Sequence, residues 1–288
     1  MRRGEILLDF DVIDNWDNEL EEMNKNKKGR KFVYPDSFIK LLGYMRAYFH
    51  LPYRQTEEGV VREHASNTLP SSVPDYSRIC RRINKLNIII SSDDESSVHA
   101  DNFVIAIDST GVKVTNRGGE WIRHKWNVKR YLKIHVAVDI KRKRILSLHV
   151  TSEQVHDGKV LPKLVEDITI KQNKEIDMTI ADGAYDNNNN FQFLSFRGIQ
   201  PAIKVRKNSR CRKTNHYLRN KTVKMQQSNL QQWKDSVSYG QRWIVETVFS
   251  CIKRIFGEYV TAIRFENMVK EIMLKVSLYN WFQTITIK

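Results

Sequence analysis

The sequence has little cysteine: three residues in 288, Cys80, Cys211 and Cys251. They are odd in number, far apart and form no Cys-x-x-Cys pair, which argues against a disulfide framework and against a structural zinc site. Long apolar runs are missing as well. No stretch approaches the ~20 uncharged apolar residues of a membrane span. The start, "MRRGEILLDFDVIDNWDNEL", has no long apolar segment with a cleavage site, so no signal peptide is expected. A reducing cytoplasm with no membrane partner is the expected setting. Acidic residues are scarce relative to basic ones: 33 Asp and Glu against 48 Lys and Arg, a formal net charge of +15 and a pI of about 9.7. That excess points to a polyanion, nucleic acid before anionic membrane. What is present is 41% hydrophobic residues, which fits a globular chain rather than a disordered one. The length allows one large domain or two ordinary ones, and no internal repeat is visible.

Residues 1 to about 100 read as helical. In "YPDSFIKLLGYMRAYFH", Asp36 or Ser37 can cap a helix whose apolar face is Phe38, Leu41, Leu42, Met45 and Phe49. "RQTEEGVVREHA" reads as a second helix. "VPDYSRICRRINKL" reads as a third, capped by Asp75 or Ser77, with Ile79, Ile83 and Leu86 on one face and Arg78, Arg81, Arg82 and Lys85 elsewhere. A short helix followed by a basic helix fits a helix-turn-helix DNA reader. Plain helical packing with solvated arginines fits equally well. "ISSDDESSVHAD" then reads as a linker. Beyond it the period changes. "FVIAID", "YLKIHVAVDI", "RILSLHVT", "IDMTIAD" and "IQPAIKV" are strand-like, and "DGKVLPKLVEDI" and "NNFQFLSFRG" read as helices between the later strands. Three strands followed by alternating helix and strand make an α/β mixed sheet covered by helices.

Two of these strands end alike. "FVIAID" closes on Asp108 and "IDMTIAD" on Asp182. Each alone also fits a turn residue. If the first and fourth strands are neighbours, the two carboxylates sit side by side, and a divalent cation most easily holds such a pair together. A third acid lies in "SYGQRWIVETVFSCIKRIFG", a helix ended by Gly257. Tyr239, Arg242, Glu246, Phe249 and Lys253 share one stripe of it. Arg242 and Glu246 also fit an ordinary i, i+4 pair. Yet a Glu on a mostly apolar helix needs a partner, and a metal held by two aspartates would serve.

At these motifs the chain resembles the DDE transposases of prokaryotic insertion sequences, the group with a Tyr-Arg-Glu-Lys signature around the catalytic Glu. Tyr239, Arg242, Glu246 and Lys253 match that signature at every spacing, and "IDSTG" and "DGAYD" match the surroundings of its two aspartates. The amino-terminal region "FVYPDSFIKLLGYMRAYFHLPYRQTEEGVVREHA" also has the look of the group, so the resemblance covers nearly the whole chain. It implies a helical DNA-binding domain over residues 1–100. It also implies a ribonuclease-H-like catalytic domain over 101–288, with a basic insertion at about 204–238. The implied reaction is metal-dependent DNA cleavage at terminal inverted repeats and strand transfer into target DNA. Asp108, Asp182 and Glu246 would be catalytic and would hold two Mg²⁺ ions, Mn²⁺ being able to substitute; Asp108 would bridge them. The implied partner is double-stranded DNA, both element ends and target, with a homodimer or larger assembly in the active complex and a nucleoid-associated location. Tyr239, Arg242 and Lys253 would lie against DNA near the scissile phosphate. A nuclease of the same fold without integration, or a retired transposase that only binds DNA, are the alternatives.

The segment "IKVRKNSRCRKTNHYLRNKTVK" holds nine Lys and Arg and no acid. Such a run is usually a solvated loop. Beside a DNA-cutting site it reads as a phosphate-binding arm, with Lys204, Arg206, Lys207, Arg210, Arg212 and Lys213 as contacts. "TNRGGEWIRHKWNVKRY" reads as a basic, aromatic hairpin. His135 and His149 read as core or edge histidines. His156 and Asp157, a pair that the resemblance places at this point, are secondary site candidates.

Overall fold

The computed structural model describes residues 11–65, 72–90, 103–114, 131–211 and 217–286. The linker around 91–102 and the hairpin at 115–130 therefore lie outside the described residues. The chain divides into two compact units, residues 1–89 with 262–278 and residues 90–261 with 279–288.

The first unit is helical. Its described elements include α1 (Trp16–Asn24), α2 (Asp36–Phe49), a wide-turned helix over Thr56–Ala65, and α3 (Tyr76–Lys85). Asp75 caps α3 by accepting from the Arg78 N–H at 2.9 Å. On α2, by contrast, the N-cap residue is Pro35, and it is Glu19 that accepts from the Ser37 N–H at 3.0 Å. Trp16, Tyr34 and Phe38 form an aromatic cluster at ring separations of 5.0–6.4 Å, and Ile39, Leu42, Ile79 and Ile83 complete the core. Residues 262–278 also belong to this unit, so its boundary differs from the expected single cut near residue 100. The reason is packing. A Cβ on Gly43 would lie 3.2 Å from the Leu274 methyls, Tyr44 and Ser277 share a 2.8 Å hydrogen bond, and Lys270 Nζ donates to the Leu86 carbonyl.

The second unit is a mixed sheet. Its strands are β1 (Phe103–Val114), β2 (Tyr131–Asp139), β3 (Ile145–Ser152), β4 (Ile176–Ala181), β5 (Gln200–Ile203) and the short β6 (Tyr259–Val260). The order is β3-β2-β1-β4-β5, with β6 also pairing β1. β1, β2 and β3 are antiparallel, while β4 and β5 run parallel to β1. This is the ribonuclease-H-like arrangement, an α/β mixed sheet flanked by helices. β1 sits in the middle, which is why Ile105, Ala106 and Ile107 are all fully buried rather than alternating.

The helices of this unit are α4 (Leu161–Glu166), α5 (Asn188–Phe196), α6 (Tyr217–Ser228), α7 (Leu230–Ser236) and α8 (Trp243–Phe256). α4 and α5 contribute Leu161, Leu164, Val165, Phe191 and Leu194 to a core shared with Ile105, Ile107 and Ile203. The last helix, α9 (Phe265–Thr286), ends in this unit. There Asn280 completes the start of β3. Its Oδ1 accepts from the Ile145 N–H at 2.9 Å and its Nδ2 donates to the Ile145 and Ile90 carbonyls at 2.7 and 2.8 Å. A buried backbone group without a partner costs about 1–3 kcal/mol. Asn280→Ala is therefore expected to lower unfolding stability by about that amount, read as a lower urea midpoint at unchanged slope. An unchanged midpoint would show that these bonds are replaced at no cost.

Candidate active site

The parallel pairing of β1 and β4 places Ile107 opposite Ala181, so the next residues, Asp108 and Asp182, emerge side by side. Each has one oxygen fixed by the backbone. Asp108 Oδ1 accepts from the Ser109 N–H, and Asp182 Oδ1 accepts from the Ala184 N–H in the turn after β4, both at 2.8 Å. The second Asp108 oxygen accepts from Arg242 Nη1 at 2.7 Å. Arg242 then reaches Glu246 with its other nitrogen, Nη2 donating to Oε1. One guanidinium thus joins a strand aspartate to the helix glutamate, 138 positions further along the chain. The Arg242–Glu246 i, i+4 pair exists, but it is half of a longer contact.

Electrostatics agree with close assembly. Burial pushes the Asp108 carboxyl above its ordinary value; the Ser109 N–H and Arg242 pull it back, while Asp182 and Glu246 push it up further. For Arg242, burial disfavours the charge, but Asp108 and Glu246 outweigh it and hold the group above its ordinary value. The Tyr239 hydroxyl is pushed up to about 12, mainly by burial and further by the fields of Asp182, Asp108 and Glu246. All three carboxylates therefore act on one small region.

Their donor chemistry suits a hard divalent ion, being oxygen only. Asp182 Oδ2 has no partner among the described residues, and the Glu246 side chain, held by Arg242, is 55% exposed. Among the described residues, no three His, Cys, Asp or Glu side chains already converge as a metal cage. Arg242 supplies the positive charge between Asp108 and Glu246 instead.

A family model described as a transposase DDE domain matches residues 100–281, and a second of the same description matches residues 1–117. The chain belongs to the DDE transposase family. It is an enzyme that cleaves and transfers DNA strands. Solved structures with some likeness include a piggyBac transposase synaptic complex with hairpin DNA and a Drosophila P element transposase strand transfer complex. The first is 11% identical, with 98% of this chain and 73% of that chain covered and a TM-score of 0.45. The second is 10% identical, with 96% and 71% covered and a TM-score of 0.37. Family membership rests on the sequence match, not on these structures.

The other residues singled out in this transposase separate by environment. Tyr239 is 8% exposed, packs at a tilt against Trp233 with ring centroids 5.1 Å apart, and donates its hydroxyl to the Ala181 carbonyl at 3.3 Å. It is tied to the strand of Asp182, and its hydroxyl is spent inside the protein. Arg82 is likewise committed, pairing with Asp36 at 2.5 Å, donating to the Tyr34 carbonyl at 3.0 Å and lying 4.5 Å over the Phe32 ring. Arg78 lies over Tyr34, and Arg81 is exposed and bonded only within its own helix. Lys85 is exposed and Lys253 half-buried, neither with a partner among the described residues. Lys253 stands seven residues after Glu246, on the same side of α8.

In the basic segment, Lys204, Arg206, Lys207 and Arg210 are exposed, while Arg212 and Lys213 lie outside the described residues. The segment is not a free arm throughout, because it continues into α6 and α7. Arg219, on α6, is buried in a two-pronged pair with Asp186, Nε to Oδ1 at 2.7 Å and Nη2 to Oδ2 at 2.9 Å. Ser209 and the Arg206 N–H also donate to Asp186. This anchor was missed in the sequence; its one signal was the second acid of "DGAYD". Asp157 pairs with Lys133 at 2.7 Å and approaches His135 Nδ1 at 3.5 Å. His135 is fully buried, and burial takes its pKa down to about 4, so it is a neutral core histidine.

Removing one partner of a buried ion pair costs about 3–5 kcal/mol. Asp186→Asn should lower stability at neutral pH by an amount of that order. Burial alone would raise the Asp186 carboxyl, but hydrogen bonds from Arg219 and Ser209 hold it below its ordinary value of 3.8. Its stabilisation is thus present above that value and lost as pH falls through the lower, folded one. Urea titrations should show the wild type and Asp186→Asn converging below about pH 4. A gap that stays constant into acid would show that the charge of Asp186 contributes nothing.

Proposed function

We propose that the chain is an insertion-sequence transposase of the Tyr-Arg-Glu-Lys signature group, with Asp108, Asp182 and Glu246 as its catalytic carboxylates. The observation that carries this reading is the meeting of Asp108 and Glu246 on one guanidinium, with Asp182 beside them on the neighbouring strand. These three would hold two Mg²⁺ ions, or Mn²⁺ in their place. When bound, such ions supply an activated oxygen nucleophile and relief of negative charge at phosphorus. The carboxylates would act as fixed ligands. Both aspartates are set by backbone N–H groups, and Glu246 reaches in from a helix bound to the same strand end through Tyr239. Arg242 would exchange its contacts with Asp108 and Glu246 for a DNA phosphate, and Lys253 would add a second phosphate contact on the same helix face. The substrates would be duplex DNA ends with terminal inverted repeats and a duplex target, handled by a homodimer or larger assembly. Arg78, Arg81 and Lys85 of α3 would serve recognition, while Lys204, Lys207 and Arg210 would add contacts independent of sequence.

The test uses charge removal at constant shape. Asp108→Asn, Asp182→Asn and Glu246→Gln should each reduce cleavage of an end-containing duplex below detection while leaving DNA binding within about threefold of wild type. A chelator should abolish cleavage by the wild type, and Mg²⁺ or Mn²⁺ should restore it. Precut ends with a free 3′-hydroxyl should be joined to target DNA; cleavage without joining would make the protein a nuclease of this fold. A Glu246→Gln protein that cuts at the normal rate would remove Glu246 from the site.

A further inference from the structure

Beside the turn that follows Asp182, within the same unit, lies a polar cavity of about 650 Å³ lined by His156, Lys159, Arg206 and the asparagines 187–190. That volume is in the range of pockets that enclose a small organic ligand, well above the need of a single ion. Asp186 also borders it, but its carboxylate is filled by Arg219, Ser209 and the Arg206 N–H. The exposed cations Lys159 and Arg206 have no carboxylate partner among the described residues.

The His156 ring decides what the cavity accepts. Its Nδ1 accepts from the Gly158 N–H at 3.1 Å. In a neutral imidazole the single proton must then sit on Nε2. That nitrogen lies 3.3 Å from Arg206 Nη2, which can only donate. Two N–H groups face each other with no acceptor between them. Arg206 is not free to turn away at no cost, since its Nε donates to the Gly183 carbonyl at 3.0 Å. The arrangement becomes favourable when an anionic oxygen takes both protons, and phosphate suits a guanidinium edge best. The amino end of α5 adds the N–H groups of Asn188 and Asn189, which have no acceptor within the helix. The His156 turn packs closely on its neighbours: a Cβ on Gly158 would fall 2.6 Å from Asn187 Nδ2 and 3.3 Å from the Ala184 carbonyl oxygen.

We infer that this cavity is a nucleotide subsite, taking one nucleotide of a DNA strand with its phosphate at His156, Arg206 and Lys159. The sugar and base occupy the remaining volume along the asparagine run, whose amides both donate and accept. The inference rests on the proposed DNA chemistry for the origin of the strand. The link is direct: Arg206 holds the carbonyl of Gly183, the residue after Asp182. A strand seated here is therefore sensed at the carboxylate site.

The test is calorimetric binding of thymidine monophosphate, thymidine and inorganic phosphate to the full chain. The monophosphate should bind, inorganic phosphate should bind more weakly, and thymidine should bind about tenfold or more weakly than the monophosphate. His156→Phe and Lys159→Ala should each weaken the monophosphate about tenfold. Lys159 is exposed, so its variant stays folded even where His156→Phe does not. Thymidine binding as tightly as the monophosphate, or Lys159→Ala binding it like wild type, overturns the subsite. DNA cleavage is measured on the same preparations. Wild-type cleavage without monophosphate binding removes the subsite and leaves the transposase chemistry standing. Monophosphate binding with the expected losses, alongside Asp108→Asn and Glu246→Gln proteins that still cut, leaves the phosphate pocket and removes the proposed catalytic site.

Discussion

Carboxylates crowded together, one within β1 and one just past the end of β4, repel one another, and the second unit is built around holding them there. The work is done by the backbone. Nine register pairs join β1 to β2 and five join it to β4, the last at Ile107, so Asp108 cannot drift from the end of β4. A single N–H then fixes one oxygen of each aspartate. Tyr239 bonds the start of the glutamate helix to the last carbonyl of β4, so the third acid arrives in register with the other two. Burial raises the Asp108 carboxyl and Arg242 only partly offsets it. The carboxylate cluster therefore draws its stability from the apolar sheet core rather than adding to it.

The large positive charge divides into two populations. Arg82 and Arg219 are internal fasteners, one for the helical unit and one for the loop after β4. Lys204, Lys207 and Arg210 stay in water, where they gain little from protein partners and remain available to a polyanion. Net charge alone could not separate these groups. The separation follows from where acids lie in space, and Asp36 and Asp186 are each far along the chain from the arginine they meet.

Much of the catalytic unit was legible because β strands carry their own pattern. Each of the five strand-like runs lies in a strand, but only the fourth ends at its acid: β1 continues to Val114, so Asp108 is a mid-strand residue at the point where the pairing with β4 stops. The spacing of Arg242 and Glu246 was legible too, since i and i+4 share a helix face. Three things were not legible. Tyr239 and Arg82 read as surface groups because sequence does not show which polar group finds a buried partner. Asp186 read as part of a motif rather than as an anchor, since its partner lies 33 residues away. The return of residues 262–278 to the helical unit had no local signal, because unit membership is set by packing such as Leu274 on Gly43.

The double grip of Asp186 on Arg206 and Arg219 has an evolutionary consequence. The base of the basic segment is closed by this carboxylate, and Gln226 reinforces it by bonding Val205 N–H and the Ile203 carbonyl, each at 3.0 Å. The span between the two arginines is thus defined by the loop after β4 rather than by the residues that join them. Exposed positions beside Ser209, such as Lys207 and Arg210, can accordingly be recharged while the carboxylates stay in place, so that affinity for a polyanion can change without touching the chemistry.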